Sequence, residues 1–338
     1  MTTIKKIAQI AGVSYSTVSR ALNNKPGVRP EIREKIHSIA RELDYFPHSS
    51  ATALVKKRVG VIGVIIPRTS EFAFQNPFYS HMLLGLSTVA NANEYHLMLS
   101  INGQQNYASL YHRKLVDGII VVANRIDDDK IPELVEKDIP AVVVPGFPAD
   151  STLDIASVNS ENHTSVYRAV SYLISLGHRH IAFILGQMNS MYSIERLNAY
   201  RAAFHDSGLP FDENYIVESD FSKTDGFRLM GQLLDLPEPP SSVVCINDSV
   251  TPGAIHQITS RGLKIPGDIS VVAIGCSDLY ELFSPPLTAI KTRVVEIGKT
   301  AASILIHRIE KGYYNEKQVV IPSDVIIRES TSAVRGQS

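Results

Sequence analysis

Apolar positions recur at helical spacing in the first 45 residues. The first helix is predicted to bury Ile4, Ile7, Ala8 and Ile10. Gly12 is predicted to end this helix as a left-handed residue, and Ser14 to be the N-cap of a second helix that ends at Leu22. A third helix is predicted from Pro30 to Leu43. This arrangement is typical of a helix-turn-helix whose second helix enters the DNA major groove, although an ordinary helical hairpin has similar spacings.

Short apolar runs alternate with amphipathic stretches from residue 59 onwards. The predicted strands are VGVIGVII, HLMLS, GIIVVA and AVVVPG in a first set and HIAFILG, SVVCIND and ISVVAIG in a second. Helices are predicted at 78–92, 162–176, 193–207 and 294–310, and RTSEFAFQ before Asn76 is predicted to be a loop. Apolar strands separated by helices indicate parallel sheets covered on both faces. The pattern predicts a small all-α helix-turn-helix domain followed by an α/β region of two doubly wound parallel sheets.

Length and composition are typical of a chain with several globular domains. At 338 residues the chain is long for one domain. No apolar run approaches the roughly 20 residues of a membrane span, and the N-terminus lacks the basic and then apolar order of a secretion signal. We therefore expect a cytoplasmic protein with no membrane partner. Cys245 and Cys276 lie in apolar, strand-like runs, which favours buried reduced thiols over a disulfide or a metal site.

Charge is distributed unevenly along the chain. Residues 1–58 contain 11 lysines and arginines against 4 acidic residues, whereas the remaining residues contain 22 against 30. The net charges of the two parts are therefore +7 and −8. A basic segment that is also apolar-periodic is expected to fold and to meet phosphates, while the acidic remainder is repelled by DNA.

Several segments together resemble the lactose/galactose repressor family. They are IAQIAGVSYSTVSRALNN, REKIHSIARELDYFP, LGHRHIAFI, IND and PPLTAI, which follow the family's order over nearly the whole chain. The resemblance implies a DNA-binding domain at 1–47, a hinge at 48–58 and an effector-binding and dimerisation domain at 59–332. It also implies two lobes of the periplasmic-binding-protein type, joined by crossovers near 160, 291 and 322. The first lobe would hold 59–160 and 292–321, and the second 161–291 and 322–332.

The resemblance also implies which residues bind DNA. The hinge would become helical on operator DNA, with Leu54 wedged into the minor groove and Ala51 allowing two hinge helices to approach, and a flexible linker is the alternative. On the second helix, Tyr15, Ser16 and Arg20 are expected to contact base edges. The other expected DNA contacts are Ser14, Thr17 and Ser19, together with Lys5, Lys25 and Arg29, which mainly meet phosphates.

A small-molecule effector is expected in the cleft between the lobes, because ligands of open α/β sheets lie beyond the carboxyl ends of the strands. In the first lobe this rule indicates Asn76, Phe78, Ser100, Asn124 and Arg125. In the second lobe the family pattern indicates Arg196, Phe221, Asn247, Asp248 and Ser277. Forked arginine donors, a carboxylate and an aromatic face suit a polyol.

Each of these residues also has a structural alternative. Asn76 followed by Pro77 fits an N-cap and the first position of a helix. The second-lobe residues could instead form a salt bridge, an aromatic core contact or a cap. The family usually has two acids where this chain reads GCSD at 275–278, so recognition of hydroxyl groups at that point is expected to differ.

Motifs of catalysis are absent from the sequence. The chain has no GxSxG, HExxH, GxxxxGK[ST] or dinucleotide-binding motif. His178 and His180 lack nearby Cys or Asp partners, so a loop before a strand is favoured over a metal site. We expect no enzyme activity, no cofactor and no metal. An enzyme with a fused regulatory head is the remaining catalytic alternative.

The sequence therefore predicts a transcriptional repressor. It is expected to bind a pseudo-palindromic operator as a homodimer, with the helix from Phe78 to Ala92 in the interface, and to be switched by a small sugar. The segment RTSEFAFQNPF resembles that of family members controlling maltose or maltodextrin genes, so a maltose-type sugar is the first expectation. The alternatives are a purine co-repressor, co-repression through a phosphorylated carrier protein, and a sugar-binding transport receptor. The helix-turn-helix argues against the transport receptor.

Overall fold

The structure, a computed structural model, describes residues 4–22, 25–45, 58–102, 106–123, 125–147 and 152–334. The chain divides into two compact units, residues 1–60 and 61–338. Three of the predicted site residues, Ala51, Leu54 and Asn124, lie outside the described residues.

Three helices share one small core in the first unit. They are α1 (Ile4–Ala11), α2 (Tyr15–Leu22) and α3 (Pro30–Glu42). Gly12 has a φ of 72°, the left-handed conformation that ends α1 as predicted. The buried residues are Ile7, Ala8, Ala11, Val18, Ala21, Ile36, Ile39 and Ala40. Ile10 was assigned to the buried face by its spacing, which is wrong: its side chain is 49% exposed, because α1 turns Ile7, Ala8 and Ala11 inward instead.

The second unit contains two six-stranded sheets. The first sheet has the order β11-β5-β4-β3-β1-β2 and consists of β1 (Val61–Ile66), β2 (His96–Ile101), β3 (Gly118–Val122), β4 (Ala141–Val144), β5 (Ala156–Ser160) and β11 (Gln318–Ile321). The second has the order β12-β10-β9-β8-β6-β7 and consists of β6 (Ile181–Leu185), β7 (Ile216–Glu218), β8 (Ser242–Cys245), β9 (Ser270–Gly275), β10 (Thr288–Thr292) and β12 (Ser323–Ile326). All pairings are parallel except that of β10 with β12.

Helices connect the strands of both sheets. They are α4 (Ser70–Gln75), α5 (Pro77–Ala92), α6 (Tyr107–His112), α7 (Ile131–Glu136), α8 (Asn162–Ser175), α9 (Met191–Asp206), α10 (Lys223–Leu234), α11 (Val250–Ser260) and α12 (Val294–Lys311). Short 3-10 helices lie at Glu213–Tyr215 and Asp278–Leu282. Among the described residues, no helix combines the length and the apolar character needed to cross a bilayer.

The chain passes between the two sheets three times: after β5, after β10, and between β11 and β12. These passages make two lobes, each built around one sheet. The core of the second lobe is centred on β6, β8 and β9, and that of the first lobe on β1, β3 and β4.

Helix α5 is held very close to α12 by a pair of glycines. A Cβ atom on Gly85 would lie 2.2 Å from the carbonyl oxygen of Val295, and one on Gly298 would lie 2.6 Å from the carbonyl oxygen of Met82. Only a residue without a Cβ fits either position.

One predicted element was wrong. The segment before Asn76, expected to be a loop, contains helix α4, and Thr69 is its N-cap: the Thr69 hydroxyl accepts a hydrogen bond from the Phe72 amide at 3.3 Å. Five further strands, β5, β7, β10, β11 and β12, were not predicted. β7, β11 and β12 lie at sheet edges, and β5 and β10 lie next to edges. Their sequences mix polar with apolar residues, so the apolar runs are weak.

Candidate functional site

The outward face of α2 is polar and basic. Tyr15, Ser16 and Arg20 are exposed, as are Ser14 before the helix and Lys5, Lys25 and Arg29 around it. Thr17 and Ser19 are half-buried. The residues predicted to contact base edges and those predicted to contact phosphates are therefore exposed on the same small three-helix unit.

Side chains hold both ends of α2. The Ser14 hydroxyl accepts a hydrogen bond from the Thr17 amide at 3.1 Å, so Ser14 is the predicted N-cap. At the other end, Arg33 donates to the carbonyl oxygens of Ala21 at 3.2 Å and Lys25 at 2.6 Å. Lys35 donates to the carbonyl of Ala11 at 3.2 Å. Arg33 and Lys35 therefore stabilise helix ends. The sequence argument had assigned all of the basic charge of this unit to phosphate contacts.

The second unit contains a cleft between its lobes, with an empty volume of about 680 Å³ including its opening to solvent. Its walls come from residues that follow strands β1, β6, β7, β8 and β9, together with the first turns of α5 and α9. This is where ligands of parallel sheets lie. The lining residues are Arg68, Phe72, Asn76, Phe78, Tyr79, Ser190, Tyr192, Ser193, Arg196, Phe221, Ile246, Asn247, Asp248, Gly275, Cys276, Thr292 and Val294.

Arg196 lies in the wall of the cleft and is only 8% exposed. Its Nε donates to Asn162 Oδ1 at 3.0 Å, and its Nη1 donates to the carbonyl oxygen of Ile246 at 3.3 Å. Burial lowers the pKa of the guanidinium to about 10, which leaves it charged at neutral pH. These two hydrogen bonds orient the guanidinium and use two of its five N–H groups, so it still has donors for a ligand.

Asp248 holds the loop that follows β9. Its two carboxylate oxygens accept hydrogen bonds from the amides of Cys276 and Ser277, both at 3.0 Å. A Cβ atom on Gly275 would lie 2.5 Å from both oxygens and 2.3 Å from the Tyr280 hydroxyl oxygen. The carboxylate therefore has a structural role in this loop and also lines the cleft.

Two asparagines of the cleft are helix caps. The side-chain oxygen of Asn76 accepts from the Phe78 amide at 3.0 Å at the start of α5. That of Asn247 accepts from the amides of Ser249 and Val250 at 3.0 and 2.7 Å. Each cap leaves the side-chain NH₂ group as the available donor, although that of Asn247 is 3.4 Å from the carbonyl oxygen of Phe221.

Aromatic side chains close the cleft from both lobes. Phe72 of the first lobe meets Phe221 of the second edge-to-face, with ring centroids 5.3 Å apart, and Phe78 meets Tyr192 at 6.4 Å. Phe221 has a φ of 69°, and its ring lies over Gly186, where a Cβ atom would be 2.1 Å from the ring. The strained backbone and the glycine together fix the ring at the cleft.

Six of the ten predicted effector residues line the cleft: Asn76, Phe78, Arg196, Phe221, Asn247 and Asp248. Three described ones do not. Ser100 is at the end of edge strand β2, and Ser277 caps a 3-10 helix through its hydroxyl. Arg125 binds Asp127 through two hydrogen bonds, at 2.8 and 2.6 Å.

Sequence reasoning missed several lining residues, chiefly Arg68, Phe72 and Tyr192. A signal was present for Arg68, which follows the first apolar strand directly and so satisfies the strand-end rule. Phe72 was hidden by the incorrect prediction of a loop. Tyr192 lies one turn before Arg196 on α9, where helical spacing could have paired the two.

The cleft offers binding groups and no catalytic pair. Burial raises the pKa of the Cys276 thiol, and the Asp248 carboxylate beside it adds to the shift, so this cysteine is not an activated nucleophile. His178 lies elsewhere and is buried, with Nδ1 2.8 Å from the Ser241 hydroxyl and Nε2 3.0 Å from the Ser332 carbonyl oxygen. Nowhere in the described part of the chain do three His, Cys, Asp or Glu side chains gather as metal ligands would.

Comparison with known proteins matches both units. Residues 3–48 match the model of the lacI family of bacterial regulatory proteins, and residues 170–331 match a periplasmic binding protein-like domain. Catabolite control protein A of Priestia megaterium is 31% identical over 336 residues, which cover 97% of this chain and 99% of that protein. The chain belongs to the lacI family.

Solved structures agree with this lacI-family assignment over the full length. The lac repressor dimer bound to operator and the anti-inducer ONPF superposes with a TM-score of 0.86 at 25% identity, covering 98% of this chain and 99% of that chain. The transcriptional regulator CelR in complex with cellobiose gives a TM-score of 0.74 at 26% identity, covering 98% and 100%. The chain is thus a DNA-binding transcriptional repressor of the lacI family and not an enzyme.

Proposed function

We propose that this repressor binds a pseudo-palindromic operator as a homodimer and that a small sugar of the maltose type, held in the cleft, switches its binding. The observation that carries the sugar assignment is the cleft itself. It presents an oriented guanidinium on Arg196, a carboxylate on Asp248 and five aromatic rings around a space within the range of about 300–1,000 Å³ that small-molecule sites occupy. Aromatic faces and forked donors match the two sides of a sugar ring.

The disaccharide in the CelR–cellobiose complex supports this size class, because that regulator has the same fold. The segment RTSEFAFQNPF supports a maltose-type sugar, because it resembles the corresponding segment of family members that control maltose or maltodextrin genes. Within it, α4 brings Phe72 over the cleft, where its ring contacts Phe221.

A second copy of the chain is the partner proposed for the outer face of α5. Leu84 is 55% exposed there and is flanked by the small exposed residues Ser80 and Thr88 one turn away on either side. The second lobe exposes Leu279 by 61% and Leu282 by 75%. Exposed apolar residues of this size mark interaction surfaces when they are grouped. Sedimentation at micromolar concentration is expected to give a dimer, and a monomer under DNA-binding conditions would contradict the proposal.

Calorimetry against a panel of sugars and purines tests the ligand assignment. At least one sugar is expected to bind the full-length protein, and Arg196→Gln is expected to weaken that binding by roughly ten- to a hundredfold, the value of a hydrogen bond to a charged group. Arg125→Gln is the control, since Arg125 does not line the cleft. Tighter binding of a purine than of every sugar would reject the sugar assignment in favour of a purine co-repressor.

A further inference from the structure

Arg68 brings a second positive charge to the cleft, on a side chain that is half-buried. It follows β1 and lines the cavity together with Arg196. Its Nη1 donates to Gln187 Oε1 of the other lobe at 3.2 Å. Its Nε is buried and has no hydrogen-bond partner among the described residues. The sequence argument did not assign a role to this residue.

The charges around Arg68 do not balance. Among the described residues, Asp248 is the only carboxylate that lines the cavity, and both of its oxygens already accept backbone hydrogen bonds. Asp127 acts on Arg68 at longer range, but Arg125 binds it at 2.6 Å, and the two form a neutral pair. Of the carboxylates in the described ranges, none is within ion-pair distance of Arg68. Burial lowers the pKa of this guanidinium, which is the direction expected for a desolvated cation without a bound anion.

A partly buried charge without a counter-charge is also costly, and an anion that binds beside it reduces that cost. A guanidinium also matches the oxygen geometry of a phosphate or a carboxylate better than that of a single hydroxyl. The Arg68 side chain lines the same cavity as the aromatic rings that suit a sugar.

We propose that Arg68 selects a sugar that carries an anionic group, a phosphate or a carboxylate, and binds that group through its guanidinium. This inference rests on the proposed function of the cleft as a sugar site and narrows its ligand class. Arg196 and Asp248 would then hold the uncharged part of the sugar, so that the two arginines have separate roles.

Matched neutral and anionic probes test the proposal by calorimetry on the full-length protein. The probes are glucose with glucose 6-phosphate and glucuronate, maltose with maltose 6′-phosphate, and inorganic phosphate alone. Wild type is expected to bind at least one anionic sugar more than about tenfold more tightly than its neutral partner. Arg68→Gln should weaken only the anionic sugar, by roughly ten- to a hundredfold, and Arg68→Lys should retain part of the preference. The phosphate and carboxylate arms identify which anion is preferred.

Arg261→Gln is the matched control, because Arg261 is an arginine that is already paired, with Asp235, and does not line the cavity. Its preference should equal that of wild type, and thermal unfolding checks that each variant is folded. An unchanged ratio of anionic to neutral affinity in Arg68→Gln would overturn the inference and leave the sugar site standing. Inorganic phosphate binding as tightly as the phosphorylated sugar would also overturn it, since the sugar would contribute nothing. Binding of no sugar, neutral or anionic, would overturn the proposed function as well.

Discussion

Asp248 is the cleft residue whose surroundings constrain the sequence most. Its carboxylate organises the backbone of Cys276 and Ser277, and the space it needs is available only because residue 275 is glycine. A Cβ at position 275 would push against both Asp248 oxygens, so the turn and the carboxylate are fixed together.

His178 ties the start of β6 to the C-terminal segment. The Ser332 carbonyl can only accept, so Nε2 carries the hydrogen and Nδ1 accepts from the Ser241 hydroxyl. The neutral ring satisfies both partners. Protonation would put a second hydrogen on Nδ1 inside a buried site. Burial accordingly lowers the pKa of His178 below its usual value of 6.5.

Because of this histidine, the protein is expected to become less stable as the pH decreases. Below about pH 6.5 the unfolded chain binds a proton at His178, whereas the native state does not until the pH falls to its lower pKa. Between these two pKa values the free energy of unfolding decreases by up to ~1.4 kcal/mol for each unit by which the pH falls. Urea unfolding at pH 7.5 and pH 5 measures the loss. His178→Gln should lose less stability over that range than wild type, while the control His180→Gln, at a more exposed position, should behave like wild type. Equal losses in all three proteins would contradict this account.

At the scale of residues, strand-end reasoning located much of the cleft. It identified Asn76 and Phe78 because they follow a strong apolar strand, and the family pattern added Arg196 and Asp248. It could not exclude Ser100 or Arg125, because their distance from the cavity depends on an edge strand and on the pairing of Arg125 with Asp127. It missed Tyr192, whose place depends on how α9 is rotated.

Among the elements, α4 shows what apolar periodicity cannot detect. The helix has six residues, too few for a periodic pattern, and its start depends on the cap at Thr69. Its effect on the site is large, because it places Phe72 against Phe221. The four helices of the second unit that were predicted with bounds, α5, α8, α9 and α12, begin and end within two residues of the predicted positions.

The recognition helix α2 is expected to separate base reading from phosphate binding. Arg20→Ala should cost roughly 1–3 kcal/mol on an operator selected from random duplexes and should reduce the preference for operator over random DNA. Lys25→Ala is the matched variant: it should weaken binding to all DNA similarly and lower the slope of log affinity against log salt by about 1. Fluorescence anisotropy with labelled operator and random DNA measures both effects. A full operator preference in Arg20→Ala would show that another side chain of α2 reads the bases.

For the whole molecule, the two-sheet architecture followed from the order of apolar runs, but the exchange of strands between sheets did not. β11 and β12 are separated by a single residue and belong to different sheets. No local pattern reports such a change, which is decided by the packing of α12 on the first sheet and α8 on the second. The resemblance to a family supplied this part of the prediction.

The central claim is that a ligand in the cleft controls DNA binding from a separate site, and such coupling is reciprocal. The direct measurement is the affinity of the cleft sugar for the free protein and for the operator-bound protein, beside the affinity of the operator with and without saturating sugar. The account predicts that both affinities change by the same factor, roughly 5- to 150-fold. Arg196→Gln should keep operator binding, which shows that it is folded, and lose the response to sugar. Operator affinity that is indifferent to saturating sugar, or an Arg196→Gln protein that responds like wild type, would contradict it.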